Sequence, residues 1–147
     1  ISSIELEPDD LEEHNRKLQT KYNTITDEEV RCEELYTEDA EVIVMGYGIV
    51  SRVLQSVVEE ARAKNLAVGL LRPITLWPFP VKRIKELANT AQVFFAVEMS
   101  NGQMVDDIRL ALDGTRPTKF YGRMGGVVPT TREIFGELIK IFNLIRR

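Results

Sequence analysis

From residue 41 onward, short apolar runs rich in β-branched residues alternate with stretches in which apolar residues recur at helical spacing. The apolar runs predict strands at 41–48, 67–71, 92–98 and 119–121. Such alternation is typical of a parallel sheet whose strands are joined by crossover helices. The first run is apolar almost without interruption, so we expect a central strand that is covered on both faces.

The segments between the strands carry signals for the ends of helices. Ser51 is predicted to be the N-cap of a helix that ends near Asn65. Thr130 and Glu133 have the spacing of a capping box ahead of the last helix. The segment 72–80 is predicted to be a stiff loop, because each of its prolines biases the preceding residue away from helix.

The first part of the chain predicts a charged helical arm. Apolar residues recur there at helical spacing, at Leu11, Leu18, Tyr22 and Ile25. They predict one helix over about residues 9–22, outside the main core. We therefore expect an acidic helical arm over residues 1–28 and an α/β domain over residues 29–147.

Residues 29–36 fit two structures. Thr26 and Glu29 have the spacing of a capping box, which would begin a helix. The alternating apolar positions between 30 and 36 instead fit an edge strand that is rich in charge. Periodicity alone leaves both alternatives open.

Composition limits the class of protein. With 147 residues, 44% of them hydrophobic, the chain is long enough for one core. It begins with Ile and no signal-peptide pattern follows, so we interpret it as a segment of a longer protein. No apolar run approaches the roughly 20 residues that span a bilayer, and the single Cys32 cannot form an internal disulfide. These features predict a soluble, cytoplasmic protein without a membrane partner.

The net charge of −4 is unevenly distributed. Residues 1–41 carry 14 acidic and 4 basic side chains, whereas residues 42–147 carry 9 acidic and 15 basic ones. The basic residues are dispersed and are not interleaved with aromatic residues, which argues against a nucleic-acid surface. We interpret the asymmetry as complementarity between arm and body or between subunits.

Four loops rich in glycine, proline or polar residues follow the predicted strands, at 46–48, 72–80, 98–103 and 122–126. In a parallel sheet they meet at the carboxyl edge, where ligands and partners bind. The helix N-termini after Ser51 and Asn101 are expected to offer free N–H groups to anions. The candidate interface or ligand residues at this edge are Gly46, Gly48, Ser51, Arg72, Trp77, Phe79, Glu98, Asn101, Gln103, Arg123, Gly125 and Gly126.

None of these residues forms a recognisable catalytic or metal site. Gly46 and Gly48 match part of the dinucleotide-binding fingerprint, but residue 51 is Ser, and Arg72 rather than an acid follows the second strand. The two glycines therefore favour a tight turn. His14, the single histidine, has no visible nucleophile partner, and Cys32 has no CxxC partner. We predict no catalytic residue and no metal ligand.

The acid and the aromatic residues at the edge each have two interpretations. Glu98 ends an apolar strand and would either hydrogen-bond across an interface or cap the local turn at 100–103. Trp77 and Phe79 lie between prolines and would form an ordered interface loop or plug the end of the sheet. For these two aromatic residues we favour the interface loop.

Four motifs together resemble one protein family. They are Glu41-Val42-Ile43-Val44-Met45-Gly46-Tyr47-Gly48, Leu71-Arg72-Pro73-Ile74-Thr75-Leu76-Trp77-Pro78-Phe79-Pro80, Glu98-Met99-Ser100-Asn101-Gly102-Gln103-Met104 and Gly122-Arg123-Met124-Gly125-Gly126. Their order and spacing resemble the C-terminal part of the α subunit of 2-oxoacid:ferredoxin oxidoreductases, most closely the 2-oxoisovalerate (ketoisovalerate) and 2-oxoglutarate enzymes. The resemblance implies a transketolase C-terminal-domain-like fold. This fold is a three-layer α/β/α unit with a five-stranded, mostly parallel sheet and one antiparallel edge strand, at residues 29–36.

The resemblance also implies a function. Enzymes of this family oxidatively decarboxylate a 2-oxoacid to an acyl-CoA with coenzyme A and ferredoxin, and they use thiamine diphosphate, magnesium and iron–sulfur clusters. It implies that the thiamine site lies in other domains and subunits of an oligomer. This segment is then an assembly domain that binds no cofactor by itself. Two alternatives stay open: a nucleotide- or coenzyme-A-binding module that uses Gly46, Gly48, Ser51 and residues 123–126, and a free-standing scaffold whose acidic arm binds a basic partner.

Overall fold

The computed structural model describes residues 6–146, which form one five-stranded sheet and five helices. In chain order the elements are α1 (Pro8–Glu28), β1 (Cys32–Leu35), β2 (Val42–Met45), α2 (Ile49–Ala63), β3 (Val68–Pro73), α3 (Val81–Leu87), β4 (Val93–Glu98), α4 (Met104–Leu112), β5 (Thr118–Gly122) and α5 (Thr131–Ile145). All four strands predicted from residue 41 onward are present.

The strand order in the sheet is β1-β3-β2-β4-β5. Strands β2 to β5 are parallel to their neighbours, and β1 runs antiparallel to β3. In the register, Met45 of the central strand β2 pairs with Leu71 on one side and with Ala96 on the other. The predicted mostly parallel sheet with one antiparallel edge strand is therefore confirmed, as is the central position of the first predicted strand.

Two helical layers cover the sheet. On one face, Val42 and Val44 of β2 pack with apolar residues of α2 and α5, including Leu54 and Leu138. On the other face, Ile43 and Met45 belong to a second cluster, with apolar residues of α3 and α4. Burying a large apolar side chain contributes about 1.5–3 kcal/mol, which explains why every residue of β2 is apolar.

The edge strand β1 is short and acidic, as expected of a strand that must not pair with another sheet. Arg72 of β3 forms an ion pair with Glu33 at 2.7 Å, and Arg83 of α3 forms one with Glu34 at 2.6 Å. The alternative capping box at Thr26 is wrong, because α1 continues through Thr26 to Glu28. Local spacing was misleading there, since helix α1 extends six residues beyond its predicted end.

A second boundary also differs from the prediction. Helix α2 begins at Ile49, so Ser51 is not its N-cap. Gly48 takes that position with a φ of +58°, a conformation that glycine adopts more readily than other residues. The Ser51 hydroxyl instead donates a hydrogen bond to the Gly48 carbonyl at 2.7 Å. The capping box of α5 is confirmed, because Thr130 and Glu133 each accept a hydrogen bond from the other's backbone N–H.

Candidate functional site

The candidate site is the carboxyl edge of the sheet. Strands β2 to β5 are parallel, so the four loops that follow them leave the same edge in the order β3, β2, β4, β5. Helices α2 and α4, which follow the neighbouring strands β2 and β4, pack on opposite faces. The topological switch point, where α/β proteins usually bind ligands, therefore lies between the ends of β2 and β4.

Glu98 fills the N-terminus of α4 at this switch point. Its side chain is 1% exposed. One carboxylate oxygen accepts hydrogen bonds from the Ser100 hydroxyl and from the backbone N–H of Gln103 and Met104, and the other accepts one from Val105 N–H at 2.9 Å. Of the two interpretations of Glu98, the structure shows the local cap.

The cap changes what α4 offers to a ligand. The N-terminal N–H groups of a helix attract anions, and here the anion is a carboxylate of the same chain. The expectation that N–H groups after Asn101 are free is therefore wrong. Asn101 itself is exposed in the turn, and Gln103 contributes its backbone N–H to the cap.

The turns after β4 and β5 pack tightly against one another. Arg123 N–H donates to the Glu98 carbonyl at 3.0 Å. A Cβ atom at Gly122 would overlap the Ser100 carbonyl oxygen and the Phe120 ring. Glycine is thus required at residue 122 for close approach of the two chain segments.

The N-terminus of α2, on the other side of the switch point, is different. Among residues 6–146, no side chain caps this helix, and its first turn contains no acidic residue. Ile49, the first helical residue, is 55% exposed. Gly46 has a packing role, because a Cβ atom there would lie 2.6 Å from Leu54 Cδ1. Glycine at residues 46 and 48 is therefore explained by local structure, in accord with the tight-turn interpretation.

The loop after β5 presents apolar side chains to solvent. Gly125 and Gly126 have φ values of +66° and +82°. The exposed apolar residues of this segment are Met124, Val127 and Val128. Arg123 anchors the loop through an ion pair of 3.2 Å with Glu133. The backbone N–H of Thr130, with smaller contributions that include Arg123, lowers the pKa of Glu133 below its ordinary value.

The two aromatic candidates in the proline-rich loop have different environments. Phe79 is half-buried against the core cluster of α3 and α4, whereas Trp77 is 61% exposed. The Trp77 ring packs edge-on against Tyr22 of α1, with 5.8 Å between ring centroids. The Thr75 hydroxyl donates to the Pro78 carbonyl at 2.9 Å, and the Trp77–Pro78 peptide bond is cis. The loop is ordered, with Trp77 on its surface and Phe79 closing the core.

The candidate residues thus lie in separate parts of the edge. Glu98, Gln103 and Arg123 meet at the β4 and β5 turns. Trp77 and Phe79 line a cavity of about 360 Å³ beside α4. Ser51 and Arg72 line another, of about 250 Å³, between α2, β3 and β1.

Sequence reasoning missed two members of the second cavity, Arg52 and Gln55 of α2. Their place in a site can be recognised only once the antiparallel pairing of β1 is known. This pairing places Glu33 opposite Arg72, beside the start of α2. Local pattern did not determine that pairing. The Nε atom of Arg72 is buried, and within residues 6–146 it has no hydrogen-bond acceptor.

No metal-binding cluster is present in the described part of the chain, where no group of three His, Cys, Asp or Glu side chains could hold a metal ion. Burial, followed by the charge of Glu34, raises the pKa of the Cys32 thiol. Raising the pKa reduces the thiolate fraction and therefore the reactivity of the thiol. Within residues 6–146, no helix is long and apolar enough to span a bilayer.

Residues 40–134 match the family model for pyruvate:ferredoxin oxidoreductase core domain II. The chain belongs to this family. It is 49% identical, over 141 residues, to the ketoisovalerate oxidoreductase subunit VorB of Methanothermobacter marburgensis. That match covers 96% of this chain and 40% of VorB, so the chain spans less than half of its relative. The family resemblance predicted from the four motifs is confirmed.

Solved structures agree on the fold. The 2-oxoglutarate:ferredoxin oxidoreductase of Magnetococcus marinus, with 2-oxoglutarate, coenzyme A and succinyl-CoA bound, superposes with a TM-score of 0.81 at 24% identity. The superposition covers 92% of this chain and 24% of that chain. A split-gene transketolase superposes with a TM-score of 0.64 at 16% identity, over 75% of this chain and 40% of that chain. The predicted transketolase-like fold is confirmed.

Proposed function

We propose that this chain is the assembly domain of a subunit of a thiamine-diphosphate-dependent 2-oxoacid:ferredoxin oxidoreductase. The complete enzyme oxidatively decarboxylates a branched-chain 2-oxoacid and forms an acyl-CoA. Family membership and the 49% identity to a ketoisovalerate oxidoreductase subunit support this proposal. Because the chain spans 40% of that relative, we assign the reacting groups to the rest of the protein and to other subunits.

The proposal rests on which groups are occupied and which are exposed at the switch point. Glu98 already occupies the donors that α4 would offer to a ligand. Exposed apolar side chains project from the neighbouring turns: Ile49, Met124, Val127 and Val128. Exposed apolar groups of this kind are suited to contact with protein rather than with a charged cofactor. We call these four residues the apolar rim.

We assign the cofactors on the same basis. Thiamine diphosphate, magnesium, iron–sulfur clusters and coenzyme A belong to the complete enzyme, and ferredoxin is its electron acceptor. The described residues contain no cluster of metal ligands, so we assign no metal to this domain. Its partners are the other domains and subunits of a cytoplasmic oligomer.

We also assign residues 1–28 to a separate arm. Helix α1 is described from Pro8, and within the described part of the chain it has no buried residue. Its aromatic contact with Trp77 connects it to the loop after β3. An arm of this kind is available to a neighbouring subunit.

The alternative, a nucleotide- or coenzyme-A-binding module, has less support. The Ser51 hydroxyl is hydrogen-bonded to the Gly48 carbonyl, and the Arg123 guanidinium is paired with Glu133. Both side chains would have to leave these partners to hold a phosphate. Calorimetric titration of the chain with coenzyme A tests the alternative. We expect Arg123→Gln to leave any heat of binding unchanged, whereas the alternative requires that heat to fall.

Assembly and activity measured together test the main proposal. The purified 147-residue chain is expected to be inactive with 2-oxoisovalerate, thiamine diphosphate and coenzyme A. In the complete enzyme, Ile49→Glu in the apolar rim should reduce the assembled fraction measured by native mass spectrometry. The matched control is Leu144→Glu, which changes an equally exposed apolar residue at the far end of α5. Decarboxylation by the chain alone, or full assembly of the Ile49→Glu enzyme, would contradict the proposal.

A further inference from the structure

We propose that the cleft between β1, β3 and the start of α2 is a binding site for an oxyanion, a carboxylate or a phosphate group. Its volume is about 250 Å³, enough for a small ligand. Its polar and charged lining comes from three elements: Glu33 and Glu34 of β1, Arg72 of β3, and Ser51, Arg52 and Gln55 of α2. The site is distinct from the apolar rim and does not depend on the assembly role.

The Arg72 guanidinium has one unused edge. Its Nη1 group donates a hydrogen bond to Glu33 at 2.7 Å, so one end of the guanidinium is already occupied. The opposite edge is formed by Nε and Nη2, and it is the edge that binds a carboxylate or phosphate with two parallel hydrogen bonds. Nε has no acceptor among the described residues, although most buried polar atoms in proteins have one.

An anion can reach this edge only if the Arg72 side chain moves. Nε is closed off from solvent, but the Arg72 side chain as a whole is 38% exposed. An outward swing of this flexible side chain brings Nε and Nη2 to an oxyanion in the cleft. Two charge-assisted hydrogen bonds formed on binding then offset the movement.

The cleft also contains an unpaired positive charge. Arg52 faces the same cleft, and in the described part of the chain its guanidinium has neither an ion pair nor a hydrogen bond. Glu33 is paired with Arg72, and Glu34, which also lines the cleft, is paired with Arg83, so neither acid neutralises Arg52. One positive charge is left without a counter-ion, and an oxyanion would supply it.

Helix α2 adds to the attraction for an anion. The cleft lies beside the first turn of α2, the helix whose N-terminus has neither a side-chain cap nor an acidic residue among residues 6–146. The partial positive charge at this end of the helix adds to the field of the two arginines. Gln55, one turn along the helix, supplies a neutral donor at the wall of the cleft.

The test is a titration of the ¹⁵N-labelled chain with inorganic phosphate and, separately, with acetate, at constant ionic strength. We expect saturable shifts of the Arg72 Nε–H resonance and of the backbone amides of Arg52 and Gln55. Saturation by phosphate alone identifies a phosphate group as the ligand, and saturation by acetate alone identifies a carboxylate. Saturation by either anion or by both supports the site, and shifts that grow linearly with both anions, or no shifts with either, would overturn it.

Variants distinguish specific binding in the cleft from nonspecific electrostatic attraction of anions. Arg72→Lys keeps the charge and removes the planar fork, and Arg52→Gln removes the unpaired charge. Each is expected to weaken binding about tenfold, the loss of roughly one charge-assisted hydrogen bond. The control is Arg109→Gln on α4, which removes the same charge on the opposite face of the sheet. Equal affinity in all three variants and the unmodified chain would refute the proposal, whether or not the assembly role holds.

Discussion

Helices α4 and α2 begin beside the switch point on opposite faces of the sheet, and their N-termini are capped differently. At α4, an acid that ends the preceding strand accepts four hydrogen bonds. At α2, a glycine with positive φ leads into the helix, and no side chain caps it among residues 6–146. An acidic strand end therefore closes one half of the usual ligand crevice, whereas a glycine leaves the other half open to a partner.

Removing the carboxylate of Glu98 tests this difference between the two helices most directly. Glu98→Ala would leave three backbone N–H groups and one hydroxyl without their buried acceptor. We expect it to lower the free energy of unfolding by about 3 kcal/mol or more, measured by urea denaturation. Ser100→Ala, which removes one of the four donors, should cost only about 1 kcal/mol. Equal and small effects of both variants would show that the cap is not a major contribution.

A second variant tests the close packing that holds the cap in place. In Gly122→Ala, the added methyl group overlaps the Ser100 carbonyl, and we expect a loss of about 1–3 kcal/mol of unfolding free energy. Gly136→Ala is the matched control, because a Cβ atom there meets nothing within 4 Å among the described residues. That change lies in helix α5 and should stabilise the chain by about 0.5–1 kcal/mol. A Gly122→Ala protein as stable as the unmodified chain would show that the two turns can separate.

A smaller effect of opposite sign is expected at the open helix. Ile49→Glu places a negative charge at the uncapped N-terminus of α2 and should raise the unfolding free energy by about 0.3–1 kcal/mol. Ile49→Gln controls for the loss of the apolar side chain. Thermal unfolding at low salt measures both variants, and the difference should shrink in high salt. The same Ile49→Glu change is expected to weaken assembly, so stability and assembly should move in opposite directions.

The smallest effect concerns a third helix, α5, whose capping acid, Glu133, is half-buried. Thr130 lowers the pKa of Glu133, so ionised Glu133 contributes stability above its unfolded pKa. That contribution is lost as the pH falls through the folded pKa, which lies below the ordinary value for a glutamate. Thr130→Ala should therefore reduce the acid-dependent loss of stability, measured as melting temperature against pH. An unchanged acid slope would show that the capping box contributes little.

Much of the fold could be predicted from the sequence. The period of apolar residues identified the strands from β2 onward and the helices between them, because both faces of the sheet are buried and leave a strong pattern. Residues 29–36 were ambiguous, since a four-residue edge strand with two acids leaves no clear period. The family resemblance, rather than periodicity, resolved this segment correctly.

The site could be predicted only in part. The four loops were located correctly, because parallel strands place their carboxyl ends on one edge. The occupation of the α4 donors by Glu98 was left open, since local sequence does not determine whether a strand-end acid turns back into its own chain. Arg52 was missed, because its place beside Arg72 follows from strand pairing and helix packing between distant segments.

The most direct test of the assembly role is hydrogen exchange of residues 46–52 and 123–128, in the isolated chain and in the complete enzyme. The account predicts slow exchange at 103–105 in both states, because the Glu98 cap is internal. It predicts that amides around the apolar rim gain protection only in the complete enzyme. Rim amides that exchange equally fast in both states would contradict the assembly role of this domain.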